Sequence, residues 1–431
     1  MSDKELIRIE KFRQFKKTIR ASKDYLIVGL DIAKDKHVAF MGTARGKTLR
    51  RGLIFRNDIS GYNKLLEETI VVQRQHGLNK IVFGLEPTGN YHKSLARWLI
   101  MQNHQLVMVS GKAVSENRQL LDGRWDKNDN KDSANVADLI SQGKCQFFAN
   151  PGQIITDLRD LLSLRRRLKR QEHSLRMRIR NSLLSKHFPE MDRYWGSCLR
   201  ENLAIIRWCL DPRKIAAMPL AEFIRMVTST DRGLRQVKRL KSIHQAAANS
   251  VGLPVTAATR FEARLLTEEL ERVSERAAQL QEEIKIICNR CSHYKLLQTI
   301  PGVGPFIAAV ILAAIGNPHR FSNRSQVIRL AGLDLSANRS GKNSDKAVPV
   351  LSKKGDANLR YALYQAALIA TYHNDRIKRL FCLLLEGRER ERGIRTKMRV
   401  KLASKILIIA WSMMKTDSPF DPDLLSGRTV A

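Results

Sequence analysis

Long apolar runs are missing from this 431-residue sequence. The two longest, Phe306 to Gly316 and Leu402 to Met414, fall short of the roughly 18 to 20 residues that cross a bilayer. Met1 to Lys23 is polar and basic and lacks the apolar segment of a secretory signal. We therefore expect a protein that neither spans a membrane nor is secreted, and that works in the cytoplasm.

Cysteine and aromatic residues are also scarce. The six cysteines are scattered along the chain, which suits a reducing compartment and gives no disulfide framework. Cys288 and Cys291 form one CxxC pair without a second pair at zinc spacing, so no zinc site is expected. Aromatic residues make up 6% of the chain, which argues against a protein that binds single strands purely by base stacking.

Acidic residues are few beside the basic ones. There are 42 of them against 76 lysines and arginines, so the formal charge is +34. Such an excess predicts a polyanionic partner, either nucleic acid or an anionic membrane surface, and argues against a metabolic enzyme. At about 150 residues per domain, the length predicts two to four domains.

The first third of the chain alternates strand and helix patterns. The predicted strands and helices, in order, are Tyr25 to Asp31, His37 to Gly42, Lys47 to Phe55, a helix from Asn57 to Gln75, Lys80 to Glu86, a helix from His92 to Asn103, and His104 to Ser110. Three antiparallel strands followed by alternating strands and helices are typical of a mixed α/β sheet of the ribonuclease-H or RuvC type. We expect such a domain here.

Beyond residue 150 the pattern is helical. Between Arg159 and Arg180 nine basic residues accompany two acidic ones along an apolar stripe, so this helix could lie along phosphates. Its candidate nucleic-acid contacts are Arg165, Arg166, Arg167, Lys169 and Arg170. The less periodic segment at about 188–255 is expected to be a helical insertion of unknown role.

A heptad pattern follows the insertion. Its apolar positions are Leu266, Leu270, Val273, Ala277, Leu280, Ile284, Ile287 and Cys291. The alternating spacing of four and three predicts a coiled coil. The partner of this seam is either Arg159 to Leu184 of the same chain or a second chain, because the spacing fits both.

The last third is expected to be mostly helical, with two glycines before a helix. In Ile300-Pro-Gly-Val-Gly-Pro305, the backbone N–H groups at Gly302 and Gly304 could bind phosphate, as in a helix-hairpin-helix motif. A plain glycine turn between two packed helices explains the same residues equally well. The basic run from Arg388 to Lys405 is either a solvated helix face or a phosphate-binding one.

Four carboxylates stand at the ends of predicted elements. Asp31 and Glu86 end two strands, and Asp129 and Asp132 lie one turn apart at the start of a helix. Together they could hold two divalent cations about 4 Å apart, and hard oxygen ligands favour Mg²⁺ or Mn²⁺. Taken singly, each acid is better explained as a solvated or helix-capping residue. Together, acids at three successive element ends of so basic a chain are better explained by metal binding.

These residues resemble a known family, the DEDD transposases of the IS-one-ten family of bacterial insertion sequences, which are related to Piv-type invertases. The matching motifs are Gly29-Leu-Asp31, Gly84-Leu-Glu86-Pro-Thr-Gly-Asn-Tyr91, Lys127-Asn-Asp129 with Asp132, Ile300-Pro-Gly-Val-Gly304, Ala331-Gly-Leu333, Ser340-Gly341, and Ser352-Lys-Lys-Gly355 with Leu359-Arg360. Ser133, and the pair Asp334-Leu335, depart from the usual family residues without removing a catalytic group.

The resemblance implies a domain order and a chemistry. The implied parts are a basic leader at 1–24, a RuvC-like nuclease domain at 25–147, a helical coiled-coil region at 148–296, a transposase domain at 297–418 and a tail at 419–431. The catalytic tetrad falls on Asp31, Glu86, Asp129 and Asp132, and the serine nucleophile on Ser340. The cations expected near that serine are Arg339, Lys342, Lys353, Lys354 and Arg360.

The resemblance also implies partners. We expect double-stranded donor and target DNA, a structured guide RNA encoded by the element, and a homodimer or homotetramer associated with the bacterial nucleoid. Two alternatives stay open. One is a Holliday-junction-type nuclease that uses the tetrad for hydrolysis alone, and the other is a basic architectural protein that binds nucleic acid without catalysis.

Overall fold

The computed structural model describes residues 3–122, 129–196, 199–228, 233–336 and 349–422. The chain divides into two compact units, each treated separately below. The first comprises Met1–Gly152 with Asn317–Gln326, and the second comprises Gln153–Gly316 with Val327–Ala431. No helix in the described ranges is both long and apolar enough to cross a membrane.

The first unit is built on a six-stranded mixed sheet, as the sequence predicts. Its strands are β1 (Tyr25–Asp31), β2 (Lys36–Thr43), β3 (Thr48–Arg56), β4 (Lys80–Leu85), β5 (Gln105–Met108) and β6 (Gln146–Phe147), in the order β3-β2-β1-β4-β5-β6. Its main helices are α1 (Asp3–Thr18), α2 (Ile59–Gln75), α3 (His92–Met101), α4 (Gly111–Asp122) and α5 (Asp129–Ser141). β1 and β4 run parallel at the centre, with β2 antiparallel to β1.

Helices cover both faces of this sheet, because successive side chains of a strand point to opposite sides. Leu26, Val28 and Leu30 of β1 pack in one core with residues of α2 and α3. Tyr25 and Ile27 pack in the other, with residues of α1, α4 and α5. The near-continuous apolar run of β1 follows from burial on both sides.

The second unit opens with a pair of long helices, α6 (Gln153–Arg178) and α12 (Ala257–Asn289). They run antiparallel, since Arg165 bonds to Gln281 whereas Gln171 bonds to Glu269. The heptad seam of α12 is therefore buried within the same chain. At its end Cys288 is fully buried, whereas Ile287 and Cys291 are partly exposed. Supercoiling of this pair, and its use between two chains, remain predictions.

Between these helices lies a small helical module that we call the insertion. Its elements are a π-helical turn (Ile179–Leu184), α7 (Ser185–His187), a 3₁₀ turn (Pro189–Tyr194), α8 (Leu199–Cys209), α9 (Pro212–Ala217), α10 (Leu220–Val227) and α11 (Leu234–Ala248). Their apolar faces share one buried core with Leu266, Leu270 and Val273 of α12. The insertion is thus a folded part of the second unit and not a loop.

The remaining elements form a helical bundle with one small ladder, in agreement with the expected mostly helical final third. They are α13 (Ser292–Leu297), α14 (Pro305–Ile315), α15 (Arg324–Ala331), β7 (Leu335–Ser336), β8 (Val350–Leu351), α16 (Ala357–His373), α17 (Asp375–Leu385) and α18 (Ile394–Thr416). β7 and β8 pair antiparallel, with Leu335 opposite Leu351. The Ser340 segment, residues 337–348, lies outside the described residues.

Candidate active site

Asp31 and Glu86 come together at one edge of the central sheet. Leu30 pairs with Leu85 in the parallel register, so the next residues on the two strands, Asp31 and Glu86, are neighbours. Both lie on the side of the sheet that carries α4 and α5, because Ile27 and Val82 share that core and side chains alternate along each strand. Both residues are half-buried.

The start of α4 lies against the Glu86 carboxylate. A Cβ atom at Gly111 would lie 2.5 Å from Oε1 of Glu86, so only glycine leaves room for this arrangement. The positive end of the helix dipole favours a negative charge at that position. Glu86 makes no hydrogen bond or ion pair with any residue in the described ranges. Its oxygens are therefore available to a ligand.

Helix α5 brings Asp132 to the same side of the sheet. The helix packs directly on the strands because Gly29 faces the carbonyl of Ser133 and Gly84 faces the side chain of Ile140, where a Cβ would clash. Asp132 is only 4% exposed. Because Gly29 and Gly84 have no side chain, α5 can pack this closely on β1 and β4.

Arg118 of α4 holds the Asp132 carboxylate. Its Nε and Nη2 groups donate to Oδ1 of Asp132 at 2.8 and 2.6 Å. Two buried side-chain amides add further contacts between α4 and α5. Asn117 donates to Oδ1 of Asn135 at 2.7 Å, and Asn135 donates to the Val114 carbonyl at 2.7 Å. Arg118 was not predicted from the sequence, because nothing in its local pattern marks the pairing with Asp132.

The structure describes three of the four side chains of the predicted tetrad, those of Asp31, Glu86 and Asp132. Asp129 begins α5, and its side chain lies outside the described residues. Among the side chains that the structure describes, no three His, Cys, Asp or Glu residues are placed to hold a metal ion. The residues present fit a divalent cation chemically, because Asp31 and Glu86 offer hard carboxylate oxygens at neighbouring strand ends. If Asp132 also held a cation, its carboxylate would have to interact with that cation and with Arg118 at the same time.

His37 fixes the loop that follows Asp31. Its Nδ1 accepts a hydrogen bond from the backbone N–H of Ala33 at 3.2 Å. Burial lowers the pKa of His37 below its usual value. The imidazole is therefore neutral at neutral pH and can keep accepting this bond. His37 was not predicted from the sequence, since a lone histidine in a strand gives no signal of its own.

The described segments on either side of residues 337–348 contact each other. Gly332 and Gly355 touch at their backbones, and a Cβ on Gly332 would lie 2.9 Å from the Gly355 nitrogen. Ser352 donates to Asp334 at 2.5 Å, so one of the departures from the family pattern has a structural use. Ser340 itself, with Arg339 and Lys342, lies outside the described residues.

The predicted cations that follow Ser340 in the described chain divide into two kinds. Lys353 and Lys354 are exposed. Arg360 instead donates to the carbonyl oxygens of Ala331 and Lys353, at 2.9 and 3.5 Å, and so ties the two segments together. A contact between Arg360 and nucleic acid remains a prediction, now beside a structural role.

The predicted contacts on α6 divide in the same way. The Arg165 guanidinium lies 3.8 Å from the centre of the Phe306 ring and donates to Gln281 at 3.0 Å. Burial lowers the pKa of Arg165 from its usual value. Arg166, Arg167, Lys169 and Arg170 are exposed, with Lys169 paired to Glu172 at 2.6 Å. The exposed four could meet phosphates, whereas Arg165 packs inside the unit.

Gly302 and Gly304 differ in their surroundings. Gly302 has a φ of +83°, and a Cβ there would meet the Ala366 carbonyl and lie 3.0 Å from the nitrogen of Ala370. Gly304 caps α14 in open surroundings, with no atom within 4 Å of an added Cβ. Close packing on α16 accounts for Gly302, and only Gly304 presents an open helix start. The helix-hairpin-helix motif remains a prediction.

Comparison with known proteins adds independent evidence. Residues 28–189 match a family model described as a transposase of the DEDD IS110 type. Residues 294–382 match a second model, described as a transposase of the IS116/IS110/IS902 family. The first matched segment contains Asp31 and Glu86, and the second contains Ser340.

Relatives of similar length agree. The chain is 23% identical over 415 residues to the transposase for insertion sequence element IS1111A of Coxiella burnetii (strain RSA 493 / Nine Mile phase I), covering 96% of each chain. It is 22% identical over 407 residues to an uncharacterized 44.8 kDa protein of insertion element IS116 from Streptomyces clavuligerus, covering 93% of this chain and 97% of the relative. A shorter match, 29% over 128 residues, is to the pilin gene-inverting protein of Moraxella bovis and covers 29% of this chain and 38% of that one.

The resemblance drawn from the motifs is thereby confirmed. Transposases act on DNA, which accounts for the +34 charge. The chain belongs to the IS110 family of transposases.

Proposed function

We propose that this transposase cuts and rejoins DNA with the help of divalent cations, Mg²⁺ or Mn²⁺, held by Asp31, Glu86, Asp129 and Asp132. The observation that carries the proposal is the Glu86 carboxylate, which lies beside Asp31 and against the start of α4 and has no hydrogen-bond or ion-pair partner among the described residues. Bound there, such cations would supply positive charge to the phosphoryl group in the transition state. The ion pair between Arg118 and Asp132 holds α5 in position relative to α4.

The proposed nucleophile is Ser340. Its hydroxyl oxygen attacks the DNA phosphorus, a bond between phosphorus and a deoxyribose oxygen breaks, and the proton released by the serine balances the one that the leaving oxygen takes up. The resulting phosphoserine keeps the energy of the phosphodiester. A DNA hydroxyl from another strand can then attack the phosphorus and release the serine, which gives strand exchange without an external energy source.

Two lysines that follow Ser340 in the chain support this step. Lys353 and Lys354 are exposed close to where the described chain resumes after residue 348. Positive side chains near a transferring phosphoryl group lower the barrier by neutralising the charge that develops there. The contacts of Gly332 with Gly355, and of Asp334 with Ser352, hold the two described segments together.

Guide RNA and assembly complete the proposal. The family resemblance and the charge of +34 support a structured RNA that selects donor and target, bound by a homodimer or homotetramer. Sequencing of RNA that copurifies through a high-salt wash tests the guide. One enriched structured species is expected, whereas random cellular RNA alone would contradict it. Light scattering of the purified complex gives the number of chains.

The experiment on the carboxylates uses near-isosteric changes. Glu86→Gln and Asp31→Asn keep shape but remove the charge that would hold a cation. We expect recombination of donor and target plasmids to fall by on the order of 100-fold or more, with DNA binding retained. Glu67→Gln, an exposed position on α2 at the other face of the sheet, is the matched control and should recombine normally. Full recombination by Glu86→Gln would refute the proposed site.

A further inference from the structure

Most of the insertion, including α8 to α11, lies between the two segments that match the family models, which end at residue 189 and resume at residue 294. Neither match gives its surface a role. The helix α11 within it is unusual for its charge, since its sequence LRQVKRLKSIHQAAA contains Arg235, Lys238, Arg239 and Lys241 but no acid. An acid-free basic helix in a folded module favours a partner of opposite charge.

One of these four cations serves the fold. Arg239 pairs with Glu201 of α8, and Gln236 also donates to that carboxylate. Glu201 is only 5% exposed, so this joint is internal. On the same side of α11, Leu240, Ile243 and Ala247 are buried in the core of the insertion. The helix is therefore held in one orientation, which fixes the face that it shows to solvent.

The other three cations, Arg235, Lys238 and Lys241, are all exposed. None of them forms an ion pair or a side-chain hydrogen bond within the described ranges. They follow the spacing i, i+3, i+6, so each is turned by about 60° from the one before, and the three form a short oblique row across the exposed side of α11.

Three acids of the insertion are engaged elsewhere in the fold. Glu190 accepts from Ser250 and from the Val251 backbone, Asp192 pairs with Arg180, and Asp211 caps α9. In the part of the insertion that the structure describes, no carboxylate forms an ion pair with the row on α11. Like charges three residues apart on a helix repel each other, so an external anion would stabilise the arrangement.

We propose that the exposed row Arg235, Lys238 and Lys241 of α11 binds the phosphodiester backbone of a nucleic acid. At 1.5 Å per residue the row spans about 9 Å along the helix, and a duplex presents about five phosphate charges over that length. The row has three separated cations and no apolar cluster between them, which suits repeated phosphates better than a protein surface. DNA and RNA share this chemistry, so the test must separate them.

This inference rests on the proposed function only for the nature of the partner, because binding needs neither cleavage nor Ser340. The test uses the full-length protein and measures the affinity for a 40-base-pair DNA duplex, and for an RNA duplex of equal length, at several salt concentrations. The variant is R235Q/K238Q/K241Q, in which glutamine keeps the helix propensity. The matched control is R272Q/R276Q/K285Q, which removes the same charge from exposed positions on α12.

The variant removes three cations that would each neutralise one phosphate. The slope of log affinity against log salt should therefore become shallower by about 2 to 3 for the duplex that occupies the row. The control should change it by much less. The probe with the larger change identifies the source of the phosphates. An unchanged slope with both probes, or an equal change in variant and control, would overturn the proposal. Either result leaves the recombination tests of Glu86 and Asp31 unaffected.

Chemical protection gives an answer that does not depend on variants. In the wild-type protein, acetylation of Lys238 and Lys241 by a water-soluble ester should slow at least several-fold when the bound nucleic acid is present. Lys285 on α12 should react at the same rate in both states. Equal reactivity of Lys238 and Lys241 with and without nucleic acid at saturation contradicts the contact.

Discussion

Gly111→Ala should inactivate the transposase without unfolding it. The added methyl group would lie 2.5 Å from Oε1 of Glu86, against an ordinary contact of 3.4 Å or more. Because the clashing atom is the end of a flexible side chain, the carboxylate can move by about 1 Å while the backbone stays in place, and a displacement of that size at a reacting centre costs on the order of 100-fold in rate.

Stability should change little, or even rise. Position 111 begins α4 and has no positive φ, and alanine favours a helix over glycine by up to about 1 kcal/mol. The assay is the recombination rate of donor and target plasmids, measured beside the thermal unfolding midpoint. Gly152→Ala, where nothing lies within 4 Å of the new Cβ, is the control. Wild-type recombination by Gly111→Ala would refute the placement of Glu86.

Further changes test the supports of the two units. Burial lowers the pKa of His37, so the unfolded chain binds more protons and stability falls as the pH drops below about 6.5. His37→Gln should flatten that loss between pH 7 and pH 5 in urea unfolding, and an unchanged slope would contradict it. Gly302→Ala combines a φ of +83° with a Cβ that meets Ala366, so it should lower the free energy of unfolding by more than about 1 kcal/mol. A change within about 0.5 kcal/mol, the noise of a surface substitution, would argue against that packing.

Much of the sheet was accessible from sequence because its signals are local. The strand predicted at Tyr25 to Asp31 is found with the same bounds, and the run predicted from Lys80 ends one residue earlier, at Leu85. Apolar runs bounded by glycine and charge mark buried strands without knowledge of their neighbours. The two-residue strand β6 was missed, since so short a segment carries no periodic pattern.

The heptad seam was predicted well at its start and less well at its end. The predicted seam residues from Leu266 through Ile284 are buried, as expected. After Ile284 the next buried residue is Cys288, whereas the predicted seam residues Ile287 and Cys291 are partly exposed. A straight helix drifts by about 20° per heptad relative to a strict seven-residue repeat. Over the 33 residues of α12 this drift is enough to transfer the seam to a neighbouring position.

Contacts between elements escaped prediction for a different reason. The approach of Gly111 to Glu86, and the pairing of Arg118 with Asp132, depend on how α4 packs against the sheet and α5. No spacing along the chain encodes that packing. The resemblance to a family supplied Ser340 and the tetrad, whereas composition and spacing supplied only candidates.

The most direct test of the proposed mechanism is to look for DNA joined to protein. Reactions of the full-length transposase with its DNA and copurified RNA are stopped in denaturant, digested, and analysed by mass spectrometry for a nucleotide on serine. We expect the adduct on Ser340, and its loss together with recombination in Ser340→Ala, which should still bind DNA and RNA. An adduct on Ser336 or Ser352, or recombination by Ser340→Ala at the wild-type rate, would contradict the mechanism.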